Sequence, residues 1–141
     1  MTHLLSRGIT AREGKILLAY YIEKGYWFLP GGHIEPGESG ARALIRECQE
    51  EMNINISSPT ALTTFEHAYE DKEEIQHEIT IIYKFDVALE ENVDSQIPHL
   101  TFDWVSEEKF AEIKFLPKAL KEPMQGYLSG ETMPQFVSTL E

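Results

Sequence analysis

Glu47, Glu50 and Glu51 stand at i, i+3 and i+4 within a segment of helical apolar spacing, Ser39 to Met52. On a helix that spacing brings three carboxylates within reach of one another, and like charges so placed destabilise it by roughly 0.2–0.5 kcal/mol per pair. They also lie toward the helix C-terminus, where the macrodipole disfavours anions. Two chemistries are open to such a set. As a plain charge run it is the solvated face of an acidic helix. As a ligand set it is a hard-cation site, in which carboxylate oxygens converge on Mg²⁺ or Mn²⁺ and the metal cancels the repulsion.

What flanks the helix bears on the choice. Before it runs Pro30-Gly31-Gly32-His33-Ile34-Glu35-Pro36-Gly37-Glu38, a glycine-rich stretch bracketed by prolines. It predicts a tight irregular loop whose backbone approaches a ligand closely, because glycine lacks a Cβ and accepts φ > 0. After the helix, Asn53 stands where a left-handed C-cap is wanted, a place in which Asn substitutes for Gly. Projected at about 100° per residue, Ala41, Leu44, Ile45, Cys48 and Met52 form the core stripe. Glu47, Glu50 and Glu51 are expected on the side away from that stripe.

The elements that must hold this unit read as strands, one strong helix, strands again, then a helical end. Leu4 to Ala11 and Lys15 to Glu23 are β-prone around Arg12-Glu13-Gly14 and predict an antiparallel hairpin. Trp27 to Leu29 is a short apolar stretch; Ile54 to Phe65, Glu78 to Leu89 and Thr101 to Val105 are further strands. Ser106 caps a short helix, Glu107 to Ile113, and Pro117 opens another to Leu128. The tail from Ser129 gives no signal. Strands on both sides of a lone central helix predict an α+β domain with a mixed sheet, spanning 1–141 as one unit.

Composition bounds the function. The chain has 141 residues, 42% of them hydrophobic, with 12 Lys+Arg against 24 Asp+Glu and a formal charge of −12. A chain of this length buries about 70% of its unfolded surface without help from disulfides or structural metals. Its one cysteine, Cys48, allows no internal disulfide, and a reducing cytoplasm is the expected compartment. The apolar run Ile16 to Ile22 is far short of the roughly 20 residues needed for a membrane span, and no signal-peptide order opens the chain. So acidic a domain repels phosphate backbones and anionic membranes, which excludes nucleic-acid polymers as general partners. A small polyanionic substrate would need metal to hold it.

Gly32, Glu38, Arg46, Glu47, Cys48, Glu50, Glu51, Asn53 and Ile54 fall at the spacing of the Nudix hydrolase signature, and the chain resembles that family. Asn53 alone departs from the pattern, standing where the signature has Gly. Trp27-Phe28-Leu29-Pro30-Gly31 and Phe102-Asp103-Trp104-Val105 are similar to the family's approach to the motif and to its late strand. The resemblance implies an α/β/α sandwich that hydrolyses a nucleoside diphosphate linked to another moiety, with Mg²⁺ or Mn²⁺. By position, Glu47, Glu50 and Glu51 would bind metal, with the backbone carbonyl of Gly31 as an added ligand. Arg46 and Glu38 would pair to hold the loop against the helix. In the family the residue matching Glu47 serves as base in some members, while others take the base from a distant loop. A homodimer is common among relatives; nothing in this chain demonstrates one.

Other candidates are weaker. His77-Glu78 begins like a zinc-protease helix, but position 81 is Ile, and Glu78 is expected on a sheet edge facing solvent or the cleft. Glu90, Glu91 and Asp94 compete as an additional ligand or base. Cys48 reads as a buried apolar residue. Tyr20, Tyr21, Tyr26, Trp27 and Phe28 are either core or base-stacking, and Arg7 either a surface cation or a phosphate contact. Specificity is expected from Glu66 to Gln76 and Glu90 to His99. The leading function is a pyrophosphohydrolase acting on a nucleoside triphosphate, ADP-ribose or nucleotide sugar. The alternatives are a Nudix-fold binding or regulatory module without turnover, and an acidic interaction domain whose motif is accidental.

Overall fold

Leu5, Ser6, Gly8 and Ile9 are all buried along the first strand, β1 (Thr2–Ile9), so both its faces are covered. The structure is a computed structural model and describes residues 1–88 and 90–140. β1 does not pair with the next long strand, contrary to the expected hairpin. Only β2 (Ala11–Arg12) pairs with β3 (Lys15–Tyr21), around Glu13 and Gly14, whose φ values of 52° and 77° give the doubly left-handed turn that two-residue hairpins favour. The chain then forms β4 (Tyr26–Phe28) and β5 (Gly31–His33). The glycine stretch is therefore partly a strand and not wholly an irregular loop, with Gly31, Gly32 and His33 paired to Arg7, Ser6 and Leu5.

Helix α1 (Gly40–Met52) starts at Ser39, whose hydroxyl accepts the Arg42 amide, and ends at Asn53 in the left-handed conformation, φ 54° and ψ 40°. The C-cap is the one expected, and Ser39, expected as the first residue of the helix, is its N-cap. Two long strands follow, β6 (Ser57–Asp71) and β7 (Glu74–Asp86). They extend well past the expected boundaries because Lys72 and Glu73, at φ 52° and 66°, make a tight turn without the usual Gly or Asn. Leu89, the expected end of the second strand, lies outside the described residues. Then come β8 (Leu100–Ser106), α2 (Glu107–Glu112) capped by Ser106, a 3₁₀ turn (Lys118–Leu120), α3 (Lys121–Leu128) and β9 (Phe136–Ser138). Pro117 thus precedes a 3₁₀ turn rather than opening the helix. Pro123 sits in the first turn of α3, where its missing N–H costs no helical bond. The tail, silent in sequence, adds β9 in parallel to β6.

The strands form two sheets. One is mixed, ordered β5-β1-β7-β6-β9, with β1–β7 and β6–β9 parallel; in the other, β3 pairs with β2, β4 and β8. Glu78 is on β7, in the sheet interior between β1 and β6, and not on an edge. Two apolar clusters fill the space between layers. One gathers Leu44, Cys48 and Met52 of α1 with Leu17, Tyr83 and Phe85; the other gathers Phe110 and Met124 of α2 and α3 with Ile9, Phe65 and Ile82. Helices thus cover two sides, as the expected sandwich requires.

The buried face of α1 differs from the projected stripe. Gly40, Ala43, Leu44, Cys48 and Met52 are buried, while Ala41 is half-buried and Ile45 is 36% exposed. With Leu44 as origin, Glu51 lies about 20° and Glu47 about 60° away around the helix. These two acids therefore share the protein-facing side, and only Glu50 points away from it. The reason is that α1 is held to the sheet at glycines, whose missing side chains draw that side inward. A Cβ on Gly8 would lie 2.5 Å from the Phe85 ring and 2.9 Å from Leu44, and one on Gly40 would overlap the Tyr83 hydroxyl.

Gly8→Ala should accordingly lower stability by about 1–3 kcal/mol, the usual penalty for overpacking a filled core. Urea unfolding followed by circular dichroism measures it; an unchanged midpoint would mean that α1 does not pack this tightly on β1.

Candidate active site

Glu51 occupies the last turn of α1 near the Gly31 amide of β5, and its Oε1 is buried without a hydrogen-bond partner. Burial first, and then the neighbouring Glu47 charge, push its carboxyl up to about 7; Arg7 and the Gly31 amide pull the other way. Glu47, one turn earlier, has a side chain only 16% exposed and lies against Gly32. A Cβ on Gly32 would come within 2.6 Å of the Glu47 carboxyl carbon, and one on Gly31, at φ 136°, would overlap the Ser6 carbonyl. Glycine at both places is what lets a strand run beside two carboxylates.

Arg46 ties the other side of the unit together. Its Nε donates to Glu38 Oε2 at 2.8 Å and its Nη2 to Glu38 Oε1 at 3.0 Å, a bidentate pair. Nη2 also donates to the His33 carbonyl at 3.0 Å, and Nη1 to Glu47 Oε1 at 3.0 Å and Glu50 Oε2 at 3.4 Å. The Glu38 carboxyl is held down at about 2, chiefly by Arg46 and then by the Glu35 amide. The Arg46 guanidinium is raised beyond its already high range by the same contacts. Glu50 is the most open of the three helix acids, its side chain 58% exposed.

The structure thus brings Glu38, Arg46, Glu47, Glu50 and the β5 backbone together. It does not bring the three acids of α1 to one point: Glu47 and Glu50 lean on Arg46, while Glu51 turns to Gly31. Among the described residues no group of three His, Cys, Asp or Glu side chains is gathered as a cation site.

On the neighbouring sheet face stands Arg7, half-buried and not a surface cation. Its Nη1 donates to the Leu29 carbonyl at 2.9 Å and its guanidinium lies 5.3 Å from the Phe28 ring centroid. Burial lowers its pKa, opposed by the charges of Glu51, Glu78 and Glu47. Glu78 Oε1 accepts from His67 Nε2 at 2.9 Å and Oε2 from the Tyr69 hydroxyl at 3.2 Å, and these contacts, His67 foremost, hold its carboxyl below the usual range. His67 and Tyr69 fall within the expected specificity segment Glu66 to Gln76, which singled out neither of them. Their signal is the period-2 run Phe65, His67, Tyr69 along one face of β6.

The remaining candidates disperse. Cys48 is fully buried and its thiol is pushed up by that burial, which matches its reading as core. Tyr20 packs on Trp27 at 4.8 Å and Tyr21 on Tyr26 at 5.6 Å; of these aromatics Phe28 carries the Arg7 contact. Glu90 and Asp94 are exposed, while Glu91 accepts from the Asn55 amide at 3.5 Å. Their segment is nonetheless tied to the end of α1, through Gln96 N–H to the Glu51 carbonyl at 2.8 Å. The other expected specificity segment, Glu66 to Gln76, is the β6–β7 hairpin.

Three comparisons bear on this arrangement. Over 97 residues the chain is 31% identical to the low-salt glycan biosynthesis protein Agl8 of Haloferax volcanii, covering 64% of this chain and 62% of that one. Over 48 residues it is 42% identical to an 8-oxo-dGTP diphosphatase of Proteus vulgaris, covering 34% and 43%. The chain therefore spans less than two thirds of the length of either relative. Its fold is similar to that of a MutT protein from Methanosarcina mazei, with a TM-score of 0.72 at 24% identity over 91% of this chain and 93% of that one. The NUDIX domain model matches residues 4–127, a span that takes in most of β1, the glycine strand, the acidic helix and every later strand but β9, and the chain belongs to that family.

Proposed function

We propose that this protein is a metal-dependent pyrophosphohydrolase that cleaves a nucleoside diphosphate linked to another moiety, of the nucleoside triphosphate, ADP-ribose or nucleotide-sugar type. The observation that carries this is Glu51: a buried, unpartnered carboxylate oxygen beside a second carboxylate and a glycine strand. Leaving such an oxygen unsatisfied costs about 1–3 kcal/mol, a cost that a hard cation bound to carboxylate oxygens offsets. The donor set thus fits Mg²⁺ or Mn²⁺. Glu47, Glu50 and Glu51 would hold it, with the Gly31 carbonyl as a further ligand. Bound there, the metal would neutralise the phosphate oxygens and align the attacking water.

The chain's own residues supply the rest. Glu47 is assigned the proton of the attacking water, a general-base contribution of ~10²- to 10⁴-fold. Arg46 and Glu38 are positioning residues, their bidentate pair fixing the loop before α1 against the helix that carries the acids. Relatives bearing the names 8-oxo-dGTP diphosphatase, CTP pyrophosphohydrolase and bis(5'-nucleosyl)-tetraphosphatase support a nucleotide anhydride as substrate. A binding module without turnover is disfavoured, because the motif acids are all present at 47, 50 and 51. In this reading residues 1–141 form one hydrolase domain acting on a small-molecule nucleotide in the cytoplasm. The single buried cysteine supports that compartment, and the charge of −12 a small nucleotide over a nucleic-acid polymer.

Release of phosphate or mononucleotide across a nucleotide panel should require Mg²⁺ or Mn²⁺ and stop with a chelator. Glu50→Gln should lower that turnover by roughly 10²-fold or more without changing the melting temperature, since Glu50 is largely exposed; near-normal activity would remove Glu50 from the mechanism. Glu38→Gln tests the clasp. A carboxyl held at about 2 when folded against an ordinary 4.5 stabilises the fold above 4.5, and the benefit is lost as pH falls toward 2. The variant should melt below wild type at pH 7, with the gap narrowing as pH falls through that window. A gap independent of pH would mean the ion pair does not anchor the loop.

A further inference from the structure

We propose that Glu78 reads the nucleobase, accepting two hydrogen bonds from a base edge that carries adjacent N–H donors, as a guanine-type imino and amino pair does. This rests on the pyrophosphohydrolase reading above. Glu78 lies opposite His3 on β1 and opposite His67 on β6, on the sheet face that also carries Arg7. Arg7 is opposite Gly31, at the acidic end of the site, and His3 is four residues back along β1, about 13 Å away. His3 and Arg7 stand on one face of β1, so Glu78 and Gly31 mark the two ends of that stretch of sheet. On the hydrolase reading, a nucleotide whose diphosphate lies beside Gly31 would direct its base along this face.

The chemistry of Glu78 suits that role. A carboxylate has about four acceptor positions on its two oxygens. His67 takes one on Oε1, and because the carboxylate only accepts, Nε2 of His67 carries the proton; Tyr69 takes one on Oε2. Each oxygen keeps capacity for a further hydrogen bond, on a side chain 22% exposed. Two parallel acceptors match two parallel donors. Guanine presents N1–H beside its 2-amino group, whereas hypoxanthine keeps only the imino donor, and uracil sets its imino N–H between two carbonyls that the carboxylate repels. The flank is aromatic: Phe65, His67 and Tyr69 follow at centroid separations of 4.9 and 5.7 Å, and Tyr69 is 44% exposed. His67 and Tyr69 also fix the carboxylate in place, which a reading group needs if a missing donor is to be penalised.

The test compares GTP with ITP, which differ by the 2-amino group alone. Wild type should favour GTP in kcat/KM by about tenfold or more, chiefly through KM. Glu78→Gln should bring the two nucleotides within about threefold while leaving kcat on ITP near the wild-type value, a selective change that a merely structural role of Glu78 would not produce. If Glu78→Gln fails to fold, the wild-type ratio decides: equal kcat/KM for GTP and ITP overturns the proposal. A discrimination that survives in folded Glu78→Gln overturns it as well. Should neither nucleotide turn over while another member of the panel does, the hydrolase reading stands and the assignment of Glu78 is overturned; should nothing in the panel turn over with metal, the hydrolase reading fails separately, and calorimetric binding of GDP against IDP then decides, with equal affinity counting against Glu78.

Discussion

The closeness of α1 to the sheet is the constraint on which the site depends. Gly8 admits Leu44 and the Phe85 ring, Gly40 admits Tyr83, and Gly32 admits the Glu47 carboxylate; a methyl group at any of the three would meet the side chain now packed against it. This packing turns the Glu47–Glu51 side of the helix inward. Without it, the same helix would carry its acids into solvent, where repulsion between them amounts to only roughly 0.2–0.5 kcal/mol per pair. Pulled against β5, they become two charges in a poorly solvated place. There one is matched by Arg46, and the other is pushed up to about 7 by burial.

Electrostatics then divides the acids by role. Glu38 and Glu47 are mostly buried partners of one guanidinium, and their geometry is fixed by a fork of hydrogen bonds rather than by charge alone. Glu50 meets the same Arg46 at longer range and in the open, where an ion pair contributes about 0–1 kcal/mol. It is the acid that moves at least cost. Glu51 has no cationic partner within salt-bridge distance among the described residues, and its Oε1 lacks a donor. A site with one orphaned acceptor, one weakly held acid and one clasped acid is prepared for a cation that none of its own side chains replaces.

What the sequence made legible was local. Ser39, Asn53 and Ser106 cap their helices as their residue types require, and the run from Gly32 to Ile54 carries its meaning in spacing alone. What it hid was set at a distance. β1 leaves β3 because β5 and β7 cover both its edges, and neither partner is signalled near residue 10. The tail becomes a strand only because β6 offers it an edge. Lys72 and Glu73 turn tightly without a glycine to announce it, so the β6–β7 hairpin reads as a loop. The inward side of α1 was legible but misread: at about 100° per residue Glu51 lies closer to Leu44 than Ile45 does, and the glycines opposite fix that side against the sheet.

Binding of Mn²⁺, followed by the loss of its free-ion electron paramagnetic resonance signal, tests the central claim most directly, because it needs no substrate. The wild-type protein should take up Mn²⁺, and Glu51→Gln, which keeps the shape of the side chain and removes its charge, should weaken that uptake about tenfold or more, equivalent to ~1.4 kcal/mol. Equal Mn²⁺ affinity in the two proteins, or none in the wild type, would contradict the assignment of Glu51 and its neighbours to a divalent cation.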